Sequence, residues 1–305
     1  MPLNKDFIKR IEGIVGRERL MIEEPMKFHT TFNIGGIADY LIFPATVPEV
    51  VAVFQAIREF DMPCTVLGNG SNVLVLDGGI RGAVVKFHQP MNYIRQEGTR
   101  LIAGAGAYLK AVSEYAKECS LGGLEFACGI PGSLGGAVFM NAGAYDGEMS
   151  KIVESVKAVT LSGEIIDYNN DQINFAYRHS VFQDNAQIIA EITLKLEERE
   201  KTLIENRMAE LTRMREQKQP LDKPSAGSTF KRPTGYYAGT LIDSSGLKGL
   251  KVGGTEISLK HAGFVVNTGN ATAKDVLDLI KMVQDEVYKK NGVRLHPEVR
   301  IIGEE

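Results

Sequence analysis

The spacing of apolar residues along the chain switches repeatedly between helical and extended periods, and each switch predicts an element. Val50, Val53, Phe54 and Ile57 share one helical face behind Thr46-Val47-Pro48-Glu49, a capping box with an early proline. Leu109, Val112, Ala116 and Cys119 repeat that spacing. Ile204, Met208, Leu211 and Arg215 do so again up to Lys218, with Pro220 as the stop. A last helix carries Val276, Ile280, Val283 and Val287, opens at Thr272 with Asp275 and ends at Asn291-Gly292. Between these lie short runs of strand type: Leu41-Ile42-Phe43 after Gly35-Gly36, Thr65-Val66-Leu67, Val73 to Leu76, and Leu101 to Ala103. Two more strands flank Ser162-Gly163 between Ile152 and Tyr168, and Gln187 to Leu196 alternates. Gly263 to Asn267 reads as a buried strand and Leu295 to Ile302 as an extended end. Strands and amphipathic helices mixed in this way predict an α+β chain, with its clearest boundary at the charge run Glu197 to Lys201.

Glycine interrupts this pattern at strand ends. Gly68-Asn69-Gly70-Ser71-Asn72 separates two apolar runs and fits either a turn that holds a phosphate or an Asn-Gly hairpin. Gly104-Ala105-Gly106 ends another run, and glycine is densest from Gly122 to Gly147. There Gly132-Ser133-Leu134-Gly135-Gly136 follows Pro131 and precedes Ala137-Val138-Phe139-Met140, so it can present successive N–H groups to an anion at the start of a short helix. The competing reading is a multi-turn surface loop. The phosphate-loop and dinucleotide-fingerprint patterns are both absent, yet several such turns at strand ends point to an extended cofactor lying across a domain.

Composition narrows the partners. A chain of 305 residues, 44% hydrophobic and 24% charged, is an ordinary globular protein of about two domains. Its net charge of -3 gives no general attraction to nucleic acid or to an anionic membrane, so an anionic ligand must be met by local cations. Cys64, Cys119 and Cys128 are odd in number and lack metal-ligand spacing, which predicts a cytoplasmic chain without a disulfide framework or a metal site. The amino terminus mixes charge into its apolar positions and reads as a helix start, with no membrane-entering run.

Four residues carry candidate chemistry. Arg178, in Phe175-Ala176-Tyr177-Arg178-His179, is either a surface guanidinium paired to a carboxylate or a partly buried fork for a substrate carboxylate. Ser228, in Gly227-Ser228-Thr229-Phe230, reads locally as a turn residue, Glu298 as an edge-strand carboxylate, and Lys218 as a solvated helix-end cation.

The motifs in order resemble those of the UDP-N-acetylenolpyruvoylglucosamine reductase family nearly end to end: G-N-G-S-N at Gly68, G-I-P-G-S-L-G-G-A at Gly129, N-A-G-A-Y at Asn141, Y-R at Tyr177, G-S-T-F at Gly227 and P-E-V-R at Pro297. The resemblance implies a two-lobed FAD-binding domain of the vanillyl-alcohol-oxidase/PCMH type, with lobes 1–88 and 89–200, followed by an α+β substrate domain at 201–305. It implies noncovalent FAD contacted by Gly68, Asn69, Gly70, Ser71 and Asn72, by Gly129, Ile130, Pro131, Gly132 and Ser133, by Gly135, Gly136 and Ala137, and by Asn141, Gly143 and Ala144. NADPH would reduce the flavin, and flavin N5 would deliver hydride to C3 of the enolpyruvyl group of UDP-N-acetylglucosamine enolpyruvate. Ser228 would protonate C2, Arg178 and Glu298 would serve the developing enolate, and Tyr177 and Lys218 would bind substrate. Only about twenty residues separate Ser180 from the linker, so the chain resembles the shorter subgroup, which lacks a tyrosine-bearing insertion; Lys231-Arg232-Pro233 replaces the K-N-P of some members. Two rivals compete with this reading: an alcohol-oxidising flavoenzyme of the same superfamily, which often needs a histidine for covalent flavin attachment, and a noncatalytic nucleotide-binding module. The only histidine near the first glycine pair is His29, in no such motif.

Overall fold

The computed structural model describes residues 3–87 and 91–305, so Met1, Pro2 and the expected lobe boundary at 88/89 lie outside the described residues. The chain divides into two compact units that interleave in sequence. The first takes the chain up to Ile22, Asp39–Asn69 and Gly82–Met214; the second takes Glu23–Ala38, Gly70–Arg81 and Arg215–Glu305.

The first unit is built on a five-stranded antiparallel sheet in the order Ile165–Asn169, Val153–Val159, Ile188–Lys195, Arg100–Gly104, Ile94–Glu97. Gly163, at φ +88°, makes the tight connection between the first two possible without strain. Leu101, Ala103, Val156, Ala158, Ile192 and Leu194 are all buried, and they share one core with the apolar faces of the helices Lys5–Val15, Val47–Glu59 and Leu109–Glu118. Each large side chain removed from water in this way is worth roughly 1.5–3 kcal/mol. The four residues expected on one face of Val47–Glu59 are all buried. Its capping box is only half made. Thr46 accepts from the Glu49 N–H at 3.3 Å, but the Glu49 carboxylate accepts from Arg19 at 3.0 Å and from the Ala45 N–H at 2.7 Å instead of closing the box. A guanidinium is the stronger partner for a carboxylate.

Cys64–Leu67 pairs in parallel with the Ala83–Lys86 stretch of Ile80–Lys86, in a sheet ordered Leu20–Pro25, Ile37–Ile42, Ile80–Lys86, Cys64–Leu67. Val73–Val75 pairs in parallel with Arg300–Ile302 instead. The Gly68 turn therefore joins strands of different sheets, and the hairpin alternative for Asn69-Gly70 is excluded.

The second unit holds an antiparallel sheet, Lys251–Val252, Thr255–Ile257 and Val265–Asn267, against the helices Ala238–Ser244 and Ala273–Asn291. The long helix has the expected full capping box at Thr272 and Asp275 and ends at Gly292 in the left-handed region. Asp77 adds a second cap from far away in sequence, accepting from the Ala273 and Lys274 N–H groups at 2.8 and 3.0 Å. Phe32, Ile34 and Leu74, at most 2% exposed, complete the core around Ile257, Val265, Val276 and Ile280. That burial assigns the early segments 23–38 and 70–81 to this unit.

The charge run carries the short strand Glu197–Glu198 and leads into the helix Lys201–Lys218. The units part further on, between Met214 and Arg215. The cause is packing: Ile204, Met208 and Leu211 bury against Cys128 of the first unit, so three turns of the helix belong there. Among the described residues no helix is long and apolar enough to cross a membrane, and all three cysteines are free thiols.

Candidate active site

In the first unit the glycine-rich turns meet. Gly68 closes the strand Cys64–Leu67, and the Asn69 side-chain amide donates to the Pro131 carbonyl at 2.5 Å. A Cβ at Gly68 would stand 2.3 Å from Ser133 Oγ, so a larger residue there would turn that hydroxyl out of its place at the joint of the two turns. Ser133 is the N-cap of the six-residue helix Leu134–Phe139 and accepts from the Gly136 N–H at 3.3 Å. The turn after Arg100–Gly104 joins them: Leu134 and Gly135 donate to the carbonyls of Ala107 and Ala105 at 2.8 and 2.9 Å, and Leu109 donates to Gly132 at 3.0 Å.

Those bonds correct one expectation. The N–H groups of Gly132 to Gly136 do not form an uninterrupted anion cradle, because Leu134 and Gly135 spend theirs inside the protein, where two buried carbonyls need donors. Gly135 owes its identity to close approach as well, since a Cβ there would lie 2.8 Å from the Cβ of Ala105. Further on, Ile130 donates to Ala127 at 3.0 Å and Ala137 to Ser133 at 2.9 Å, which fixes the path of the loop through Gly129 and Pro131. Gly143-Ala144 pairs with Gly147-Glu148. Asn141, 2% exposed, donates from its amide to the Ala176 carbonyl at 3.0 Å and accepts from the Ser150 N–H at 2.9 Å.

Tyr177 and Arg178 occupy the tip of a four-residue turn closed by reciprocal bonds of 3.1 Å between Ala176 and His179. The half-buried guanidinium lies 5.1 Å from the centre of the exposed Tyr177 ring and donates weakly, at 3.4 Å, to the Gly143 carbonyl.

In the second unit the backbone brings Ser228 and Glu298 onto neighbouring extended segments. Phe230 bridges Pro297, Glu298 donates to the Thr229 carbonyl at 2.8 Å, and Lys231 donates to His296 at 2.8 Å. Thr229 in turn donates to the Gly263 carbonyl at 2.8 Å, and Ser228 Oγ has only a long 3.4 Å bond to the Phe230 carbonyl. The motif that ends at Asn72 reaches this pair as well, for the Asn72 amide donates to the Glu298 carbonyl at 3.3 Å, while Gly70 accepts from the Thr31 N–H at 3.1 Å. Lys218 stands exposed in the last turn of its helix.

His261 was not singled out by sequence. A Cβ at Gly263 would lie 3.0 Å from its ring and 3.6 Å from Ser228 Oγ, so the imidazole and the hydroxyl flank one glycine. Nδ1 accepts the Gly263 N–H at 3.0 Å, which leaves the proton of the neutral ring on Nε2. Burial lowers the pKa of this histidine, against the opposing effect of a backbone hydrogen bond, and the nearby Lys248 charge adds to the lowering. The signal available in the sequence was the short run His261-Ala262-Gly263, a histidine two residues before a glycine.

Residues 38–169 match the family described as FAD binding domain, and residues 219–302 match UDP-N-acetylenolpyruvoylglucosamine reductase, C-terminal domain. UDP-N-acetylenolpyruvoylglucosamine reductase of Clostridium botulinum (strain Hall) is 51% identical over 301 residues, 99% of this chain and 98% of that protein. The chain belongs to the UDP-N-acetylenolpyruvoylglucosamine reductase family. The crystal structure of UDP-N-acetylenolpyruvylglucosamine reductase from Thermus caldophilus superposes with a TM-score of 0.82 at 40% identity, over 92% of this chain and 99% of that one. Alkyldihydroxyacetonephosphate synthase, 14% identical, shares the fold alone, with a TM-score of 0.51 over 64% of this chain and 41% of its own. The expected fold class, α+β with an FAD-binding domain of the vanillyl-alcohol-oxidase/PCMH type, is therefore met.

As a member of this reductase family the chain is an FAD-dependent oxidoreductase. Within the span matched by the FAD-binding family, the glycines draw these turns together: an added Cβ at Gly68 or Gly135 would meet Ser133 or Ala105.

Proposed function

We propose that the chain reduces UDP-N-acetylglucosamine enolpyruvate to UDP-N-acetylmuramate in the cytoplasm, with NADPH as the source of hydride. On this reading the FAD lobes expected at 1–88 and 89–200 lie within the first unit, which keeps the helix up to Met214, and the substrate domain expected at 201–305 is the second unit, 215–305 with 23–38 and 70–81 in its core. Gly68, Asn69, Gly70, Ser71 and Asn72, the loop residues Gly129 to Ser133 and Gly135 to Ala137, and Asn141, Gly143 and Ala144 hold FAD. Asn69, Asn72, Asn141 and Gly135 act there by shaping the turns, since their polar groups already serve backbone partners. FAD, when bound, supplies the hydride that enters C3 of the enolpyruvyl group.

The observation that carries the reading is the antiparallel pairing of Thr229–Phe230 with Pro297–Glu298, which sets a hydroxyl and a carboxylate from distant sequence on one backbone frame. As hydride arrives at C3, negative charge collects at C2 and spreads into the adjacent carboxylate. Arg178 faces that carboxylate with a delocalised cation already stacked on Tyr177. Ser228 gives its proton to C2, and its weak bond to the Phe230 carbonyl costs little to break. Glu298 orients a cation or water, or donates as the acid, because a bare carboxylate would repel the enolate. Lys218 meets the diphosphate, whose charge the chain's net -3 does nothing to offset.

Stopped-flow kinetics of Ser228→Ala test the assignment. NADPH-driven bleaching of the flavin should survive, while reoxidation by the enolpyruvyl substrate slows by ~10²–10⁴-fold, the usual loss for a positioned acid. In deuterated solvent the wild type should place solvent deuterium at C2. Equal slowing of both halves, or none in the second, would remove Ser228 from the role.

A further inference from the structure

We propose that Gln183, together with Asn141, is a positioning residue that holds the Arg178 turn in register with the helix Leu134–Phe139. The proposal rests on the reading of Arg178 as the group that meets the substrate carboxylate. Arg178 has φ +55°, the left-handed region, which costs a side chain with Cβ about 1 kcal/mol and persists only where surrounding bonds impose it. Those bonds are specific. Gln183 Nε2 donates to the carbonyl of Arg178 itself at 3.0 Å and to the Phe139 carbonyl at 2.8 Å, so one amide ties the strained residue to the end of the helix. Ser180, fully buried, donates to the same Phe139 carbonyl at 2.8 Å. Asn141 holds the other side of the turn through the Ala176 carbonyl at 3.0 Å and is itself fixed by the Ser150 N–H at 2.9 Å.

The last carbonyls of a helix lack intrahelical donors, so the C-terminal end of Leu134–Phe139 is a natural anchor for a neighbouring turn. The other end of the same helix, capped by Ser133, adjoins Gly68. One short rigid helix thus carries the cofactor-side glycine turn at its first residue and the arginine turn at its last. A helix that links the two sets the distance from guanidinium to reacting carbon through backbone geometry. Neither residue needs to touch substrate. With the Gln183 amide removed, the tie from the Arg178 carbonyl to the end of the helix is lost, the turn can leave the left-handed conformation, and the guanidinium is displaced by about the 1 Å that costs ~10²-fold in a preorganised site.

The test uses FAD-loaded full-length enzyme and the two half-reactions. Gln183→Leu should leave flavin reduction by NADPH within about twofold, and it should slow reoxidation by the enolpyruvyl substrate by ~10–10²-fold. Gln183→Glu, which keeps size but as a carboxylate cannot donate to Phe139, Met140 or Arg178, should do the same, and it stands in if the leucine variant fails to retain FAD. In combination with Arg178→Ala, Gln183→Leu should add no further slowing, because its whole effect runs through Arg178. Arg178→Ala that leaves reoxidation unchanged would sink the reading of Arg178 itself. Arg178→Ala that slows reoxidation while the Gln183 variants do not, or Gln183→Leu that slows the Arg178→Ala enzyme by its full single-variant factor, would overturn the positioning role alone. Equal loss in both half-reactions would overturn it too, as general distortion of the flavin site.

Discussion

Gly135→Ala probes the joint between the helix Leu134–Phe139 and the turn after Arg100–Gly104. The new Cβ would stand 2.8 Å from the Cβ of Ala105, 3.1 Å from its carbonyl oxygen and 3.3 Å from its Cα, where 3.4–4 Å is ordinary contact. None of these atoms can rotate away, since each is backbone or is bonded directly to it, and Ala105 is 1% exposed. Relief requires a shift of roughly 1 Å in the helix or the turn, and that shift stretches the 2.8 and 2.9 Å bonds from Leu134 and Gly135 to Ala107 and Ala105. Overpacking costs about 1–3 kcal/mol and the two hydrogen bonds about 0.5–1.5 kcal/mol each, while alanine returns up to about 1 kcal/mol of helix propensity. The expected net loss is therefore about 3 kcal/mol. It should be measured by urea unfolding of the FAD-free protein, because bound FAD raises apparent stability by mass action. Gly136→Ala is the control: its Cβ would meet only the rotatable Ser133 hydroxyl, at 3.2 Å, so the same propensity gain is set against at most the loss of the Ser133 cap, and the stability should stay within about 1 kcal/mol of wild type. Ala105→Gly should restore at least 1 kcal/mol to Gly135→Ala by removing the nearest clash. A Gly135→Ala protein as stable as wild type, or an Ala105→Gly change that rescues nothing, would refute the close-approach reasoning.

Two further outcomes are expected. The protein should purify yellow and release FAD on denaturation, and with no tryptophan in the chain the flavin emission can be read without indole interference; colourless protein that takes up no added FAD would contradict the assignment of residues 38–169 as an FAD-binding domain. Because burial lowers the pKa of His261 below its ordinary 6.5, the unfolded chain binds the proton first on acidification, so this histidine's contribution to stability is whole above about pH 6.5 and is lost as pH falls through the folded-state value; His261→Asn, which can still accept the Gly263 N–H, should flatten the stability profile in that window, and an unchanged slope would show that other groups set it.

The local signals of the sequence translated directly where one element decides its own form. Thr272 with Asp275 and then Gly292 frame a helix whose cap geometry needs nothing from the rest of the chain. Glu49 behaved otherwise because an arginine thirty residues away in sequence outcompetes the backbone it was placed to cap. Likewise no period or motif indicates that Phe32, Ile34 and Leu74 bury beside Val265 and Ile280; that choice is made by the volume left open in a core assembled from three distant segments. The site shows the same division. Glycine density located the turns, but nothing in it indicated that the amides of Asn69, Asn72 and Asn141, which the family resemblance marks as cofactor residues, would also donate to the carbonyls of Pro131, Glu298 and Ala176. The reason is general to glycine-rich turns. A chain that bends too sharply for helix or sheet leaves carbonyls without backbone donors, and a short amide side chain nearby is the cheapest donor that does not fill the space. Asparagine in such motifs therefore fixes the shape of the turns, while glycines such as Gly68 and Gly135 let them approach one another closely. Substitutions at the asparagines should accordingly change where the turns sit before they change what the turns touch.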